Sequence, residues 1–207
     1  MKTIYKIILM ISVLMYTNIQ LANEALIYAD NISYDDEKNL IAKGNVKIFS
    51  DDKIIQSDLI IYKKESKKYI LPLEFSLKDE KGNYYYGSSG EFLSNLEDGI
   101  INDLKLLLND GSRIVGKKAI KKNQIDIISK ATYTPCSSRI NIKNFICPIW
   151  QMEGEKILHD NENLFLYQKH SKLRIFNLPV WYLPYIVTPS PLRKKRKSGF
   201  LTPSINF

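Results

Sequence analysis

What this chain of 207 residues lacks narrows its chemistry before any motif is sought. It contains only two cysteines and two histidines. Cys136, Cys147, His159 and His170 are spread too widely to supply four zinc ligands at metal-site spacing, so no metal or cofactor is expected. Its nine glycines form no phosphate cradle. Gly82, Gly87 and Gly90 fit turns, with neither a Lys-Ser/Thr pair nor a helix start behind them. Ser88-Ser89 lies between glycines without the strand–elbow context of a hydrolase nucleophile. His159-Asp160 has no serine placed to complete a triad. No catalytic residue is expected. Long apolar runs are also missing apart from Ile7–Tyr16, whose length as a helix is ~15 Å, about half a bilayer core.

Basic charge is present, but not where a nucleic-acid binder would need it. The net charge is +8, from 30 basic and 22 acidic residues. Seven of the basic residues are Lys2, Lys6 and the run Arg193, Lys194, Lys195, Arg196 and Lys197. Without them the body is close to neutral, so no basic field covers the domain. Lys2 and Lys6, the apolar run and the polar stretch to Ala22 have signal-peptide anatomy, with residues 1–22 removed by a cut after Ala22. An uncleaved anchor is the alternative, since no charge occurs from Ile7 to Asn23. Both imply export. In an exported chain Cys136 and Cys147 are disulfide candidates before they are ligands. A mutual bridge would close a short loop and contribute ~2–3 kcal/mol on the chain-entropy model. A bridge to another chain or to a further part of this protein stays open.

From Ala25 the pattern is that of strands punctuated by Asp, Asn, Gly and Ser. Residues 25–34, 40–49 and 53–62, rich in Ile, Val and Tyr, are separated by short Asp-containing turns and predict an antiparallel meander. Alternation puts Ile32 with Tyr34 and Val46 with Ile48. It groups Ile55, Ser57, Leu59 and Ile61 on one face. Leu104, Leu106 and Leu108 alternate with polar neighbours, and Ile125 and Ile127 flank Asp126. Each strand offers one apolar and one polar side, as in a sheet that covers a single interior. The alternation alone does not separate a filled sandwich core from a groove for acyl chains.

Two sets of motifs carry a resemblance. ADNISYDDEKNLIAKGNVKIF from Ala29, followed by IIQSDLIIY, resembles the repeat of OstA-like lipopolysaccharide (LPS) transport domains. Ala131-Thr-Tyr-Thr-Pro-Cys136, Cys147-Pro148, Trp150, Ile157–Asp160, Leu178–Tyr185 and Lys197–Ser204 then follow in the order seen in the LPS-assembly protein family LptD. The resemblance covers essentially the whole exported chain. It implies an all-β fold, an OstA/LptA-like β-jellyroll of open, twisted antiparallel sheets with a hydrophobic groove, spanning residues 23–190. Residues 191–207 would be a basic linker and the first strand of an outer-membrane barrel.

The resemblance also implies roles. Ile32, Tyr34, Val46, Ile48, Leu59, Ile61, Leu104, Leu106, Leu108, Ile125 and Ile127 would line the lipid groove. Partners would be LPS, the periplasmic bridge protein LptA through edge-strand pairing, and the plug lipoprotein LptE inside a barrel. Cys136 or Cys147 would join jellyroll to barrel. Arg193–Lys197 would be a solvated linker or a contact for LPS phosphates. Pro203 would weaken the first barrel strand so that a seam opens. After Gly199 eight residues remain, too few for a barrel, so the chain is expected to be a fragment or a truncated product. A free-standing periplasmic LPS-binding bridge and an exported sandwich that binds no lipid are the alternatives.

Overall fold

The computed structural model describes residues 25–135, 140–142, 145–190 and 192–193; for 140–142 and 145–147 only the backbone is described. Among these residues there is no helix. Sixteen strands run antiparallel, fourteen of them in a single sheet. β3 (Leu40–Ser50), β4 (Lys53–Lys63), β9 (Gly99–Leu107), β10 (Arg113–Lys122), β11 (Ile125–Thr134), β14 (Trp150–Asp160), β15 (Phe165–Ile175) and β16 (Leu178–Pro189) are long. Three further long paths are each interrupted near the middle. They are β1 (Leu26–Tyr28) with β2 (Asn31–Tyr34), β5 (Lys68–Leu71) with β6 (Phe75–Lys78), and β7 (Tyr84–Gly87) with β8 (Ser89–Leu93). Counted this way the sheet is a simple meander in which each path pairs with the next. A short hairpin, β12 (Ile140–Ile142) with β13 (Phe145–Cys147), stands apart from it.

The sheet is creased across its strands, and the crease controls which residues face inward. On β9 the buried residues are Ile101 and then Leu104 and Leu106, with Leu108 just past its end, so the inward parity changes at Asn102-Asp103. β11 changes between Ile128 and Ala131, β14 between Gly154 and Ile157, and β15 between Gln168 and Ser171. The turning points align in the pairing register. Asp103 on β9, Lys130 on β11 and His170 on β15 hold positive φ of 49°, 48° and 51°. On β3 the device is a bulge at Gly44-Asn45, where two residues oppose Asp58 of β4. Gly44 has φ 77°, and a Cβ there would lie 2.5 Å from Asp30 Oδ2, so this position requires glycine.

The crease divides the sheet into two half-sheets. Half-sheet I holds β2, β5, β8 and residues 40–43, 59–63, 99–102, 118–122, 125–129, 156–160, 165–169 and 185–189. Half-sheet II holds β1, β6, β7 and the remaining parts of the long strands. Their apolar faces meet. Phe75 of II packs edge-on against Phe92 of I with ring centroids 5.6 Å apart, and Tyr85 of II reaches Asp126 of I. Ile55, Leu77, Phe92, Ile101, Ile114, Ile128 and Ile157 are fully buried between them. Burial of this apolar surface, at roughly 25 cal/mol per Å², holds the halves together. Gly87 and Gly90, expected in turns, instead lie under the Phe75 ring, where an added Cβ would come within 2.7 Å of it.

Alternation does not carry across the crease, and four of the residues it grouped face otherwise. On β4, Ile55 and Ser57 point inward but Ile60 is the next buried residue, which turns Leu59 and Ile61 to the outer side, half-buried. On β11, Asp126 and Ile128 face inward, leaving Ile125 exposed and Ile127 half-buried outside. Val46, Ile48, Leu104, Leu106 and Leu108 are buried in the interior.

Candidate functional site

The interior is packed in its middle and uncovered at its two ends along the meander. Direct cross-strand partners share a face, so each inward row can be followed from strand to strand. From β4 toward the first edge, Ile60 and Ala42 are each 1% exposed, but their neighbour Ile32 on β2 is 47% exposed. Tyr34, beside Leu40, is 70% exposed. Toward the other edge, Met152 is buried, Leu173 half-buried and Trp181 68% exposed. In half-sheet I the same change runs from buried Gln168 to half-buried Ile186. Thus Ile32 and Tyr34 mark one apolar mouth, and Trp181, Leu183 and Ile186 the other. Sequence reading found the first pair and missed the second, although Leu178–Tyr185 stood out as a motif. Strand pairing was needed to give those residues a face.

Both mouths lie at strand edges that are free among the described residues. There β1 and β2 pair only with β3, and β16 only with β15. β16 is twelve residues long and exposes Leu178, Val180, Trp181, Tyr182, Tyr185 and Val187. An edge of this length is a template for further pairing. Pro179, Pro184 and Pro189 remove three backbone donors from it, which limits that capacity without abolishing it.

One end of the interior is sealed by charge. Asp126 Oδ2 accepts hydrogen bonds from Asn161 Nδ2 at 2.9 Å and from the Tyr85 hydroxyl at 3.2 Å. Lys121 Nζ lies 3.2 Å from Asp126 Oδ1 and 4.5 Å from the centre of the Tyr85 ring. His159, fully buried, places Nδ1 3.5 Å from Asp126 Oδ2 and Nε2 3.4 Å from Ser190 Oγ. Burial opposes the charge on Asp126, but Lys121, His159 and Asn161 outweigh it and hold the carboxyl well below the usual aspartate range. Burial, then the Asp126 charge, pushes the Tyr85 hydroxyl well above its ordinary value. A cavity of about 30 Å³ beside Tyr85 and Lys121 admits one water and no lipid. Contrary to the expectation that no serine stands near His159, Ser190, His159 and Asp126 fall in the order of a triad, but all three are buried, and the cluster is a structural bolt between the half-sheets. Its sequence signal was misleading, because Asp126 between two isoleucines reads as an outward residue.

Among the described residues no group of three or more His, Cys, Asp or Glu could hold a metal, and no helix is long and apolar enough to cross a membrane. Of the basic run only Arg193 is described; its guanidinium carbon lies 4.3 Å from the centre of the Phe165 ring. Residues 1–24, Cys136, Lys194–Lys197 and Pro203 lie outside the described residues, as does the side chain of Cys147.

These features define an all-β protein, a creased antiparallel sheet whose apolar interior is open at both edges among the described residues. The chain is similar to the LPS-assembly proteins LptD. It is 27% identical over 192 residues to the LptD of Hahella chejuensis, a match that covers 88% of this chain and 22% of that protein. With the LptD of Legionella pneumophila strain Paris it shares 36% identity over 85 residues, 41% of this chain and 9% of the relative. With that of Pseudoalteromonas translucida it shares 32% over 96 residues, 44% and 12% of the two chains. The matched stretches thus span under a quarter of these relatives. No family model matches the chain. Among solved structures, LptH of Pseudomonas aeruginosa, described as the LptA-homologous periplasmic component of a lipopolysaccharide transport device, aligns with a TM-score of 0.40. The sequence identity is 14%, over 47% of this chain and 75% of that one.

Proposed function

We propose that this chain is a periplasmic LPS-receiving domain that passes LPS toward the outer membrane. The observation that carries the reading is the similarity, over 88% of the chain, to a protein named for LPS assembly. The apolar interior with its two uncovered mouths supports it physically. Each CH₂ moved from water to such an interior contributes ~0.8 kcal/mol, so a multi-acyl lipid gains much by entering. Because the middle of the interior is filled by its own side chains, entry requires the half-sheets to part from a mouth inward. The groove-lining role extends to the buried Val46, Ile48, Leu104, Leu106 and Leu108 only in the parted state. Leu59, Ile61, Ile125 and Ile127 face outward, and for them the role lapses.

In this reading LptA-like bridge proteins pair with the β1–β2 edge by strand addition. Residues 1–22 direct export, residues 191–207 lead toward a barrel with an LptE-type plug, and Pro203 loosens its first strand. Cys136 or Cys147 joins this domain to the barrel by a disulfide, and Arg193–Lys197 meet LPS phosphates. The test uses the exposed Trp181. Titration with LPS should shift its emission to the blue, and the shift should disappear in Trp181→Phe. Mass spectrometry should find LPS co-purifying with the chain. No emission change together with no co-purifying lipid would leave the non-lipid sandwich as the better account.

A further inference from the structure

The outer face of half-sheet I carries a second apolar feature, separate from the interior. Ile100, Ile120, Ile127, Leu158, Tyr167 and Val187 are direct cross-strand partners on six successive strands from β9 to β16. They form a stripe perpendicular to the strands, with Ile120 and Val187 each 42% exposed. Five strand spacings make it about 24 Å long. One step along the strands, about 7 Å away, lies a parallel row in which Lys118, Lys156 and Lys169 are exposed.

Lys156 and Lys169 are directly opposite each other across β14 and β15. Like charges so placed destabilise a sheet unless an anion lies between or above them. None of the three lysines makes an ion pair or side-chain hydrogen bond among the described residues. An open depression of about 340 Å³ lies between stripe and row, walled by Leu158, Tyr167, Tyr185, the two lysine stems and Asp160, whose buried carboxylate is taken up by Glu162 and Asn163. On the stripe's other flank Arg193 covers Phe165, so the basic run begins there. The corresponding outer row of half-sheet II, Lys105, Val115, Thr132, Glu153, Lys172 and Tyr182, mixes charged, polar and apolar residues. The apolar stripe with basic flanks therefore belongs to one face only.

From this charge complementarity we infer that the outer face of half-sheet I docks on an anionic lipid bilayer. The phosphate headgroups would sit over Lys118, Lys156 and Lys169, with Ile120, Val187 and Tyr185 at the headgroup–acyl boundary. Aromatic and basic side chains are favoured at that depth. The inference is independent of the LPS reading, because the interior and its mouths take no part.

The test is flotation of the full chain with phosphatidylglycerol-containing vesicles and with pure phosphatidylcholine vesicles, at low and physiological salt. Binding is expected to the anionic vesicles alone and to weaken with salt. Replacing the three lysines by Gln should weaken it on the order of 100-fold, from roughly 5-fold per lysine. Ile120→Ser with Val187→Ser should weaken it further, with thermal melts confirming that both variants fold. Equal binding to neutral vesicles, or binding unchanged in the triple-lysine variant and abolished by reversing Arg193–Lys197, would overturn the inference. So would capture of dispersed LPS by these lysines without vesicle binding, because the occupant would then be a single amphiphile. Loss of LPS binding at Trp181 would leave this surface untouched, so the two readings fail separately.

Discussion

Half-sheets I and II come from the same strands, share one interior and yet differ on their outer faces. In II the outer row is mixed, and the inward row supplies most of the large aliphatic core, including Ile48, Ile55, Leu77, Leu106 and Ile114. In I the inward rows mix Ile60, Ile101 and Ile128 with a buried aspartate, histidine and glutamine, while an apolar stripe faces out. The difference teaches that one strand sequence can meet two separate demands when it is creased at its middle. A residue's partner across the crease then says more about its role than its neighbour along the chain.

Breaking the buried bolt should have the largest effect. Asp126→Ala leaves Lys121 and Asn161 without their partner inside half-sheet I and should cost about 3–5 kcal/mol in denaturant unfolding. Tyr85→Phe removes the matching contact from half-sheet II and should cost only about 1 kcal/mol. Equal losses would mean that the bolt is not centred on half-sheet I.

The next effect sharpens the packing side of the comparison. A Cβ on Gly116 of half-sheet II would lie 2.2 Å from Ile128 Cγ2 of half-sheet I. Gly116→Ala should therefore cost about 1–3 kcal/mol by overpacking. Its melting temperature should recover partly when combined with Ile128→Val. Acid should separate the halves in the same way. The folded-state pKa of Asp126 lies below its unfolded value. Its contribution is complete above the ordinary aspartate pKa of about 3.9 and is lost as pH falls below it. The acid limb of the stability–pH curve should be shallower in Asp126→Asn than in the parent chain. The smallest effect concerns the crease. Lys130→Gly relieves a positive φ and should stabilise by up to about 1 kcal/mol. Glu155→Gly, in the neighbouring strand without positive φ, should destabilise by about 0.5–1 kcal/mol.

Much of the fold was legible in the sequence. Regular turn spacing marked the meander, and alternation placed Val46 and Ile48, and Leu104, Leu106 and Leu108, on common faces. The crease was legible on β3, where Gly44-Asn45-Val46 marks a tight spot or bulge in a strand pair, but not on the later strands, because Asp103, Lys130 and His170 look like ordinary outward residues of a strand. Only their backbone φ and the parity of their neighbours reveal them. For that reason alternation alone sets Leu59 and Ile61 with Ile55, and Ile125 and Ile127 on the apolar face, whereas the crease turns all four outward and buries Asp126. The second mouth escaped for a related reason. Trp181 gains an inward face only through its pairing with Leu173.

The interior as an acyl-chain path is tested most directly by photo-crosslinking along the inward rows of both half-sheets. A photoreactive residue is placed at Ile32, Val46 and Ile186 on the inward side and at Val115 on the outer side of half-sheet II. LPS adducts are expected at the three inward positions, strongest at the mouths, and absent at Val115. Adducts at Val115 with none at Ile32, Val46 or Ile186 would contradict an interior path.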